Sequence, residues 1–167
     1  MLSDTEIERY ARHVVLPEVG GRGQERLLAS RVAVLGDGPA SRHAADLLRR
    51  AGVTVTDANP ETVVDLRLDA ADVPADDSGT LVWGRLRGTS VVVLAAPANT
   101  RPPEAASDGG PLPPLDAPLG ACALQVLGAL AATETLVMLL APSRGARRTT
   151  LDLATGTVTA TALEDSR

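Results

Sequence analysis

The sequence contains no lysine and no phenylalanine, and it has one tryptophan, one tyrosine and one cysteine. Because all 16 basic residues are arginines, mechanisms that depend on a Schiff-base lysine or a P-loop lysine are excluded. The single cysteine, Cys122, excludes an internal disulfide and a cysteine-rich zinc site. Two histidines, His13 and His43, offer little material for a histidine metal site. We therefore predict no metal site, no zinc, and a core built from Leu, Val and Ala.

The charge and the apolar segments of the 167-residue chain indicate its class. A net charge of −5 argues against nucleic-acid binding, which needs clustered positive charge. Met1–Glu6 is polar and acidic, unlike a targeting peptide. Residues 119–141 are long enough to cross a bilayer, but Glu134 would be costly in lipid, so a buried helix is favoured. We expect a single cytoplasmic domain without nucleic-acid or membrane partners.

The clearest local pattern is a βαβ unit over residues 31–63. Arg31–Gly36 is a short apolar run, typical of a strand that is covered on both faces. A glycine-rich loop, Gly36–Ser41, follows at once, and an alanine- and leucine-rich helix then continues to Ala51. Val53–Thr56 is the second strand. This order predicts an α/β fold with parallel strands.

Weaker patterns describe the rest of the chain. Ser3 and Glu6 have the spacing of a capping box, which predicts a helix that continues to about His13. Proline and glycine are frequent in residues 96–118, which are predicted to form an exposed loop. The remaining predicted elements are helices within residues 1–30, strands at 62–68, 81–83 and 90–95, a long apolar helix at 119–141, and a β-hairpin at 147–163.

The loop after the first strand is a candidate phosphate-binding site. A glycine-rich turn between a strand and a helix lets the backbone approach a phosphate, and the helix N-terminus supplies N–H donors. Gly36 and Gly38 occupy the first two positions of the G-x-G-x-x-G pattern, but Ser41 occupies the third. Pro39 removes one backbone donor, and Asp37 places negative charge beside the anion. A tight turn that only connects strand to helix is the alternative interpretation.

A residue that binds the ribose hydroxyls is expected about 20 residues after such a loop. Asn59 matches this spacing, with Asp57 and Glu61 nearby. An asparagine side chain can hydrogen-bond a hydroxyl, although without the charge of a carboxylate. Asn59 is therefore a further candidate for ligand binding.

Other polar and reactive side chains favour structural roles by composition alone. Arg12 is expected on a solvated face of the first helix. Cys122 lies in an apolar segment and is expected to be an inert buried thiol. The paired carboxylates Asp65 and Asp69, like Asp76–Asp77, follow no catalytic pattern and are interpreted as solvated loop residues.

Several segments resemble the ThiF/MoeB/HesA family, the bacterial relatives of ubiquitin-activating enzymes. The resemblance begins in the opening of the chain and continues through Arg31–Val53 and Asn59–Val63. Leu81–Gly88 resembles a strand near the family's C-terminal half, and Gly120–Leu140 resembles its late helix. The opening segments that carry the resemblance are Leu2–Asp4, Arg9–His13, Leu16–Gly20 and Gly23–Gln24.

This resemblance implies a three-layer, Rossmann-like fold of ThiF type, with a mostly parallel sheet, N-terminal helices and a C-terminal β-hairpin. The family adenylates the C-terminal glycine of small ubiquitin-like sulfur carriers, using ATP and magnesium on a homodimer. The family's arginine that reaches the partner's ATP falls on Arg12. Its phosphate loop falls on Gly36, Gly38 and Ser41, and its ribose acid falls on Asn59.

The sequence also departs from the family pattern. Between Val63 and Leu81 a block is absent that holds the family's Asn-x-x-Arg segment, ATP-contacting lysine, magnesium-binding aspartate and crossover cysteine. The family's zinc cysteines, two C-x-x-C pairs, are missing as well. Acyl adenylation depends on neutralising charge on the transferring phosphates. The joint loss of the metal ligand, the lysine and the arginine of the absent block therefore predicts a reaction many powers of ten slower.

We therefore predict a pseudoenzyme of this family with no resident cofactor. It would act as a binding, regulatory or scaffold subunit tied to a ubiquitin-like sulfur-carrier system. Its expected partners are a second copy, an active family paralogue, or a carrier protein. Two alternatives stay open: a minimal adenylyltransferase that binds ATP or AMP, and a structural homodimer assembled through the long helix.

Overall fold

The computed structural model describes residues 1–67, 79–97, 114 and 117–163, and this part of the chain contains five α-helices and seven β-strands. The helices are α1 (Asp4–Arg9), α2 (Ala11–Val14), α3 (Gly20–Ala29), α4 (Pro39–Arg50) and α5 (Pro118–Leu140). The strands are β1 (Arg31–Leu35), β2 (Thr54–Val55), β3 (Thr62–Asp65), β4 (Thr80–Arg87), β5 (Ser90–Pro97), β6 (Arg147–Asp152) and β7 (Thr157–Ala162). A 3-10 turn, Pro142–Arg144, follows α5.

All seven strands form one mixed sheet with the order β2-β1-β3-β4-β5-β6-β7. The pairs β1–β2, β1–β3 and β3–β4 are parallel, whereas β4–β5, β5–β6 and β6–β7 are antiparallel. The expectation of a mostly parallel sheet is therefore wrong. Strands β4 and β5 are joined by only Gly88 and Thr89. A two-residue turn can connect antiparallel strands but not parallel ones, which need a longer crossover.

The predicted N-terminal capping box is present, but the helix that it begins is shorter than expected. The Ser3 backbone N–H donates to Glu6 Oε2 at 2.7 Å, and the Glu6 N–H donates to Ser3 Oγ. Hydrogen bonds from the Ser3 backbone and side chain hold the pKa of Glu6 below its ordinary value. The helix breaks at Tyr10, whose buried ring separates α1 from α2. The break directs α2 towards α3, where His13 Nδ1 lies 3.0 Å from Gln24 Oε1.

One face of the sheet carries the main core. Helices α3, α4 and α5 pack there against the strands, and the cluster is built almost entirely from Leu, Val and Ala, as the composition predicts. The opposite face carries a second buried cluster of Ala33, Val63, Leu81, Trp83 and Leu94. The partly buried hydrophobic residues packed against it are Leu35 of β1 and Leu163, which follows β7. Two of the three expected layers are thus seen in the described residues.

The predicted proline-rich loop falls largely outside the described residues. Pro97 belongs to the end of β5, and Pro118 begins α5 as its first helical residue. Residues 98–113, most of the predicted loop, lie outside the described part of the chain, as does Asp69.

Helix α5 is long and apolar enough to cross a membrane by length and composition, which is weak evidence for such a role. Half of its most apolar window is buried inside the fold. Cys122 near the start of this helix is exposed, so the expectation of a buried thiol is wrong. Glu134 is buried and accepts a hydrogen bond from Thr149 Oγ1 at 2.6 Å, and its Oε2 lies 3.2 Å from Arg147 Nε. Both partners belong to β6, so this carboxylate fastens α5 to the sheet.

Helices α4 and α5 approach each other at Gly128. A Cβ added at Gly128 would collide with the carbonyl oxygen of Ala40 and lie 3.1 Å from the Cβ of His43. Such contacts are tighter than real side chains tolerate, so the crossing requires glycine at this position.

Replacing Gly128 with alanine tests this crossing. We expect the Gly128→Ala variant to lower the free energy of unfolding by about 1–3 kcal/mol, because the new methyl group meets backbone that cannot move aside. The matched control is Gly21→Ala in α3, where a Cβ meets nothing within 4 Å. The control should raise stability by up to about 1 kcal/mol through helix propensity. Chemical denaturation measures both, and equal stabilisation by the two changes would contradict the close crossing.

Candidate functional site

A cavity of about 460 Å³ lies between α4 and the strands β1 and β2. It extends from the loop after β1 along the flank of α4. In an open α/β sheet, ligands bind in crevices at the carboxyl ends of the strands, which is where this cavity begins. Its lining residues are Val34, Gly36, Ser41, Arg42, Ala45, Arg49, Val55, Thr56 and Asp57.

The loop between β1 and α4 forms one wall of this cavity. Gly36 has a φ of 103°, and a Cβ there would lie 2.7 Å from Ser41 Oγ, so the position requires glycine. Ser41 is buried, and its hydroxyl donates to the carbonyl of Leu35 at 3.2 Å. The serine at the third position of the glycine pattern therefore closes the loop onto the end of β1. Pro39 is the first residue of α4, where its missing N–H breaks no helical hydrogen bond.

Charged side chains occupy both sides of the cavity. Arg42 and Arg49 belong to the same face of α4, and Asp57 follows β2 on the opposite side. Arg42 Nη1 donates to the carbonyl of Asp37 and so also supports the loop. The Arg49 side chain is exposed and has no hydrogen-bond or ion-pair partner among the described residues. The lining therefore carries one more positive than negative side chain.

The structure brings some of the sequence candidates together and leaves others apart. Gly36 and Ser41 line the cavity, whereas Gly38 caps the N-terminus of α4 and does not line it. Asn59 is exposed with a φ of 49° and also lies outside the lining, where Asp57 stands instead. Arg12 is exposed on α2 and does not line the cavity. Ligand binding by these residues stays a prediction.

A buried ion cluster lies at the carboxyl end of β3. Asp65 is fully buried, which corrects its interpretation as a solvated loop residue. Its Oδ1 accepts from the Nε of Arg67 at 3.0 Å, and its Oδ2 accepts from Nη2 of the same residue at 3.1 Å. Arg85 Nη2 lies 3.5 Å from Oδ2, and its guanidinium stacks 4.4 Å from the ring centre of Trp83. Two guanidinium groups thus neutralise one carboxylate.

This cluster does not fit a metal ion. The Asp65 carboxylate is committed to two arginines, and cations beside it would repel a divalent ion. Within residues 1–67, 79–97, 114 and 117–163, no group of three or more His, Cys, Asp or Glu side chains could hold a metal. The magnesium that the family resemblance implies therefore has no matching ligands at this edge of the described sheet.

Comparison with known proteins links part of the chain to adenylyltransferases. No protein-family model matches it. It is 46% identical over 52 residues to the SAMP-activating enzyme E1 of Haloferax volcanii, which is 31% of this chain and 19% of that protein. It is 50% identical over 52 residues to the adenylyltransferase and sulfurtransferase MOCS3 of Bos taurus, again 31% of this chain and 11% of that protein. The resemblance to the ThiF/MoeB family is confirmed over this partial stretch. The matches span less than a fifth of either relative.

Solved structures show the fold across nearly the whole chain. PaaA superposes with a TM-score of 0.67 at 12% identity, over 96% of this chain and 74% of PaaA. MccB of Escherichia coli superposes with a TM-score of 0.60 at 13% identity, over 92% of this chain and 71% of MccB. Identities this low establish the fold alone. They confirm the predicted Rossmann-like α/β class.

The buried ion cluster predicts a large stability effect from a nearly isosteric change. Asp65→Asn leaves two guanidinium groups beside a neutral amide, so we expect the free energy of unfolding to fall by about 3–5 kcal/mol. The control is Asp46→Asn, which removes an exposed ion pair with Arg50 within α4 and should cost less than about 0.5 kcal/mol. Urea unfolding of both variants measures the difference, and similar small losses would show that the cluster is not structurally important.

Proposed function

We propose that the chain is a non-catalytic relative of ThiF/MoeB-type adenylyltransferases that serves as a binding or regulatory subunit of a ubiquitin-like carrier system. The observation that carries this proposal is the state of Asp65. It is the fully buried acid at the carboxyl end of β3, and its carboxylate is neutralised by Arg67 and Arg85.

The chemistry of adenylation supports this interpretation. Forming an acyl-adenylate requires cations that neutralise charge on the transferring phosphates, usually a metal ion together with lysine or arginine. The chain has no lysine, and Asp65 is engaged with arginines. The cavity lining supplies Arg42 and Arg49, and Arg12 is exposed on α2 outside it. We infer that these arginines, without a bound metal ion, contribute too little to sustain the reaction.

The relatives suggest what the subunit binds. One is named for activating SAMP, and the other combines adenylyltransferase and sulfurtransferase activities in its name. We propose a small carrier protein or an active family paralogue as the partner, with self-association as an alternative, and a cytoplasmic location. No zinc or resident cofactor is needed for this role.

ATP–pyrophosphate exchange tests the proposal directly. With purified chain, magnesium, ATP and candidate carrier proteins, we expect no exchange above background, because the groups that neutralise the transferring phosphates are missing. The Haloferax volcanii SAMP-activating enzyme, assayed with SAMP, is the positive control. Carrier-dependent exchange by this chain would overturn the pseudoenzyme proposal.

The cavity favours a second candidate function, the binding of a nucleotide without turnover. Gly36 and Ser41 place the start of α4 against one end of the cavity, where backbone N–H groups attract phosphate. Arg42 adds a positive side chain at that end, and Asp57 is a carboxylate that can accept from ribose hydroxyls. Binding needs only these groups, whereas turnover needs the missing cations as well.

Calorimetry with AMP tests this second function. We expect saturable binding, weakened about tenfold by Arg42→Gln, since a charge-assisted hydrogen bond to phosphate contributes about 1.5–3 kcal/mol. The control is Arg50→Gln, because Arg50 pairs with Asp46 and does not line the cavity. Equal affinities for the two variants would place the nucleotide elsewhere.

A further inference from the structure

One face of α4 carries more positive charge than a single phosphate site needs. Arg42, Ala45 and Arg49 line the cavity at intervals of three and four residues, so they form one continuous stripe. Arg42 stands at the loop end of this stripe and supports the loop through the Asp37 carbonyl. Arg49 lies two turns further along α4, and its side chain has no hydrogen-bond or ion-pair partner among the described residues.

Arg42 and Arg49 are seven residues apart on α4, and both side chains line the cavity. Seven residues of helix correspond to a rise of about 10 Å. Asp57 lines the cavity as well, but no ion pair joins it to Arg49, so the Arg49 charge is uncompensated. In a chain with a net charge of −5, this local excess of positive charge selects an anionic ligand.

We propose that the cavity binds a nucleotide with phosphates on both sides of its sugar, that is, a nucleoside 2′,5′- or 3′,5′-bisphosphate. The proposal rests on the nucleotide-binding function described above and adds the class of ligand. The 5′-phosphate meets the loop and Arg42, and Asp57 accepts from the free ribose hydroxyl. The second phosphate pairs with Arg49, since a guanidinium near the end of the second strand suits a sugar phosphate.

Calorimetry with three probes tests the role of Arg49. The probes are adenosine 2′,5′-bisphosphate, adenosine 3′,5′-bisphosphate and ADP, which carries two phosphates on the 5′ side alone. We expect at least one of the bisphosphates to bind the unmodified chain about tenfold more tightly than ADP. Arg49→Gln should abolish this difference by weakening the tighter bisphosphate about tenfold, with a much smaller loss for ADP. Arg50→Gln, the neighbouring arginine outside the cavity, should leave all three affinities unchanged.

The outcomes distinguish failure of the bisphosphate proposal from failure of the nucleotide-binding function on which it rests. If ADP binds as tightly as both bisphosphates, or if Arg49→Gln and Arg50→Gln behave alike, the bisphosphate proposal is overturned and nucleotide binding stands. If none of the probes binds, both proposals fall. Arg49 is exposed, and circular dichroism of its variant provides the check that the fold is intact.

Discussion

The close crossing of α4 and α5 is the contact on which the rest of this structure depends. A core without phenylalanine must be filled by Leu, Val and Ala, so its layers have to approach closely to exclude voids. Gly128 permits that approach to Ala40. Once Ala44 and Leu48 of α4 are buried against α5 and the sheet, the stripe from Arg42 to Arg49 necessarily faces β2. The helix crossing therefore determines where the cavity lies and which charges line it.

Local patterns in the sequence predict much of this fold. The apolar run of β1, the helix α4, the long helix α5 and the final hairpin all lie within a few residues of their predicted positions. The sequence patterns predict short strands at 81–83 and 90–95, whereas the structure has a longer hairpin in which β4 continues to Arg87. The second half of β4 is not predicted because it contains Arg85 and Arg87, and charged residues seldom occupy a central strand. The environment of Arg85 is set by a distant residue, Asp65, which no local pattern reveals.

The candidate site was predictable only where backbone geometry governs it. Gly36 and Ser41 follow from the motif, since a positive φ and a tight loop constrain residue type. Spacing alone pointed to Asn59, but β2 ends early at Val55, so Asp57 reaches the cavity instead. Arg42 and Arg49 have the spacing of any solvated helix face. Only the position of β2 beside α4 distinguishes them from ordinary surface arginines.

The side chains that line the cavity and the carboxylate of Asp65 lie on opposite faces of the sheet. Side chains alternate along a strand, so Val34 of β1 and Val64 of β3 face the helices, whereas Leu35 and Asp65 face away. An acid that assists a reaction must reach the same ligand that the loop holds. Asp65 instead turns to Arg85 on the far side, where it stabilises the sheet. Its carboxylate bonds to Arg67 and Arg85, which do not line the cavity, and Arg67 also packs beside the loop glycine Gly36. The proposed nucleotide site therefore does not use the Asp65 carboxylate directly.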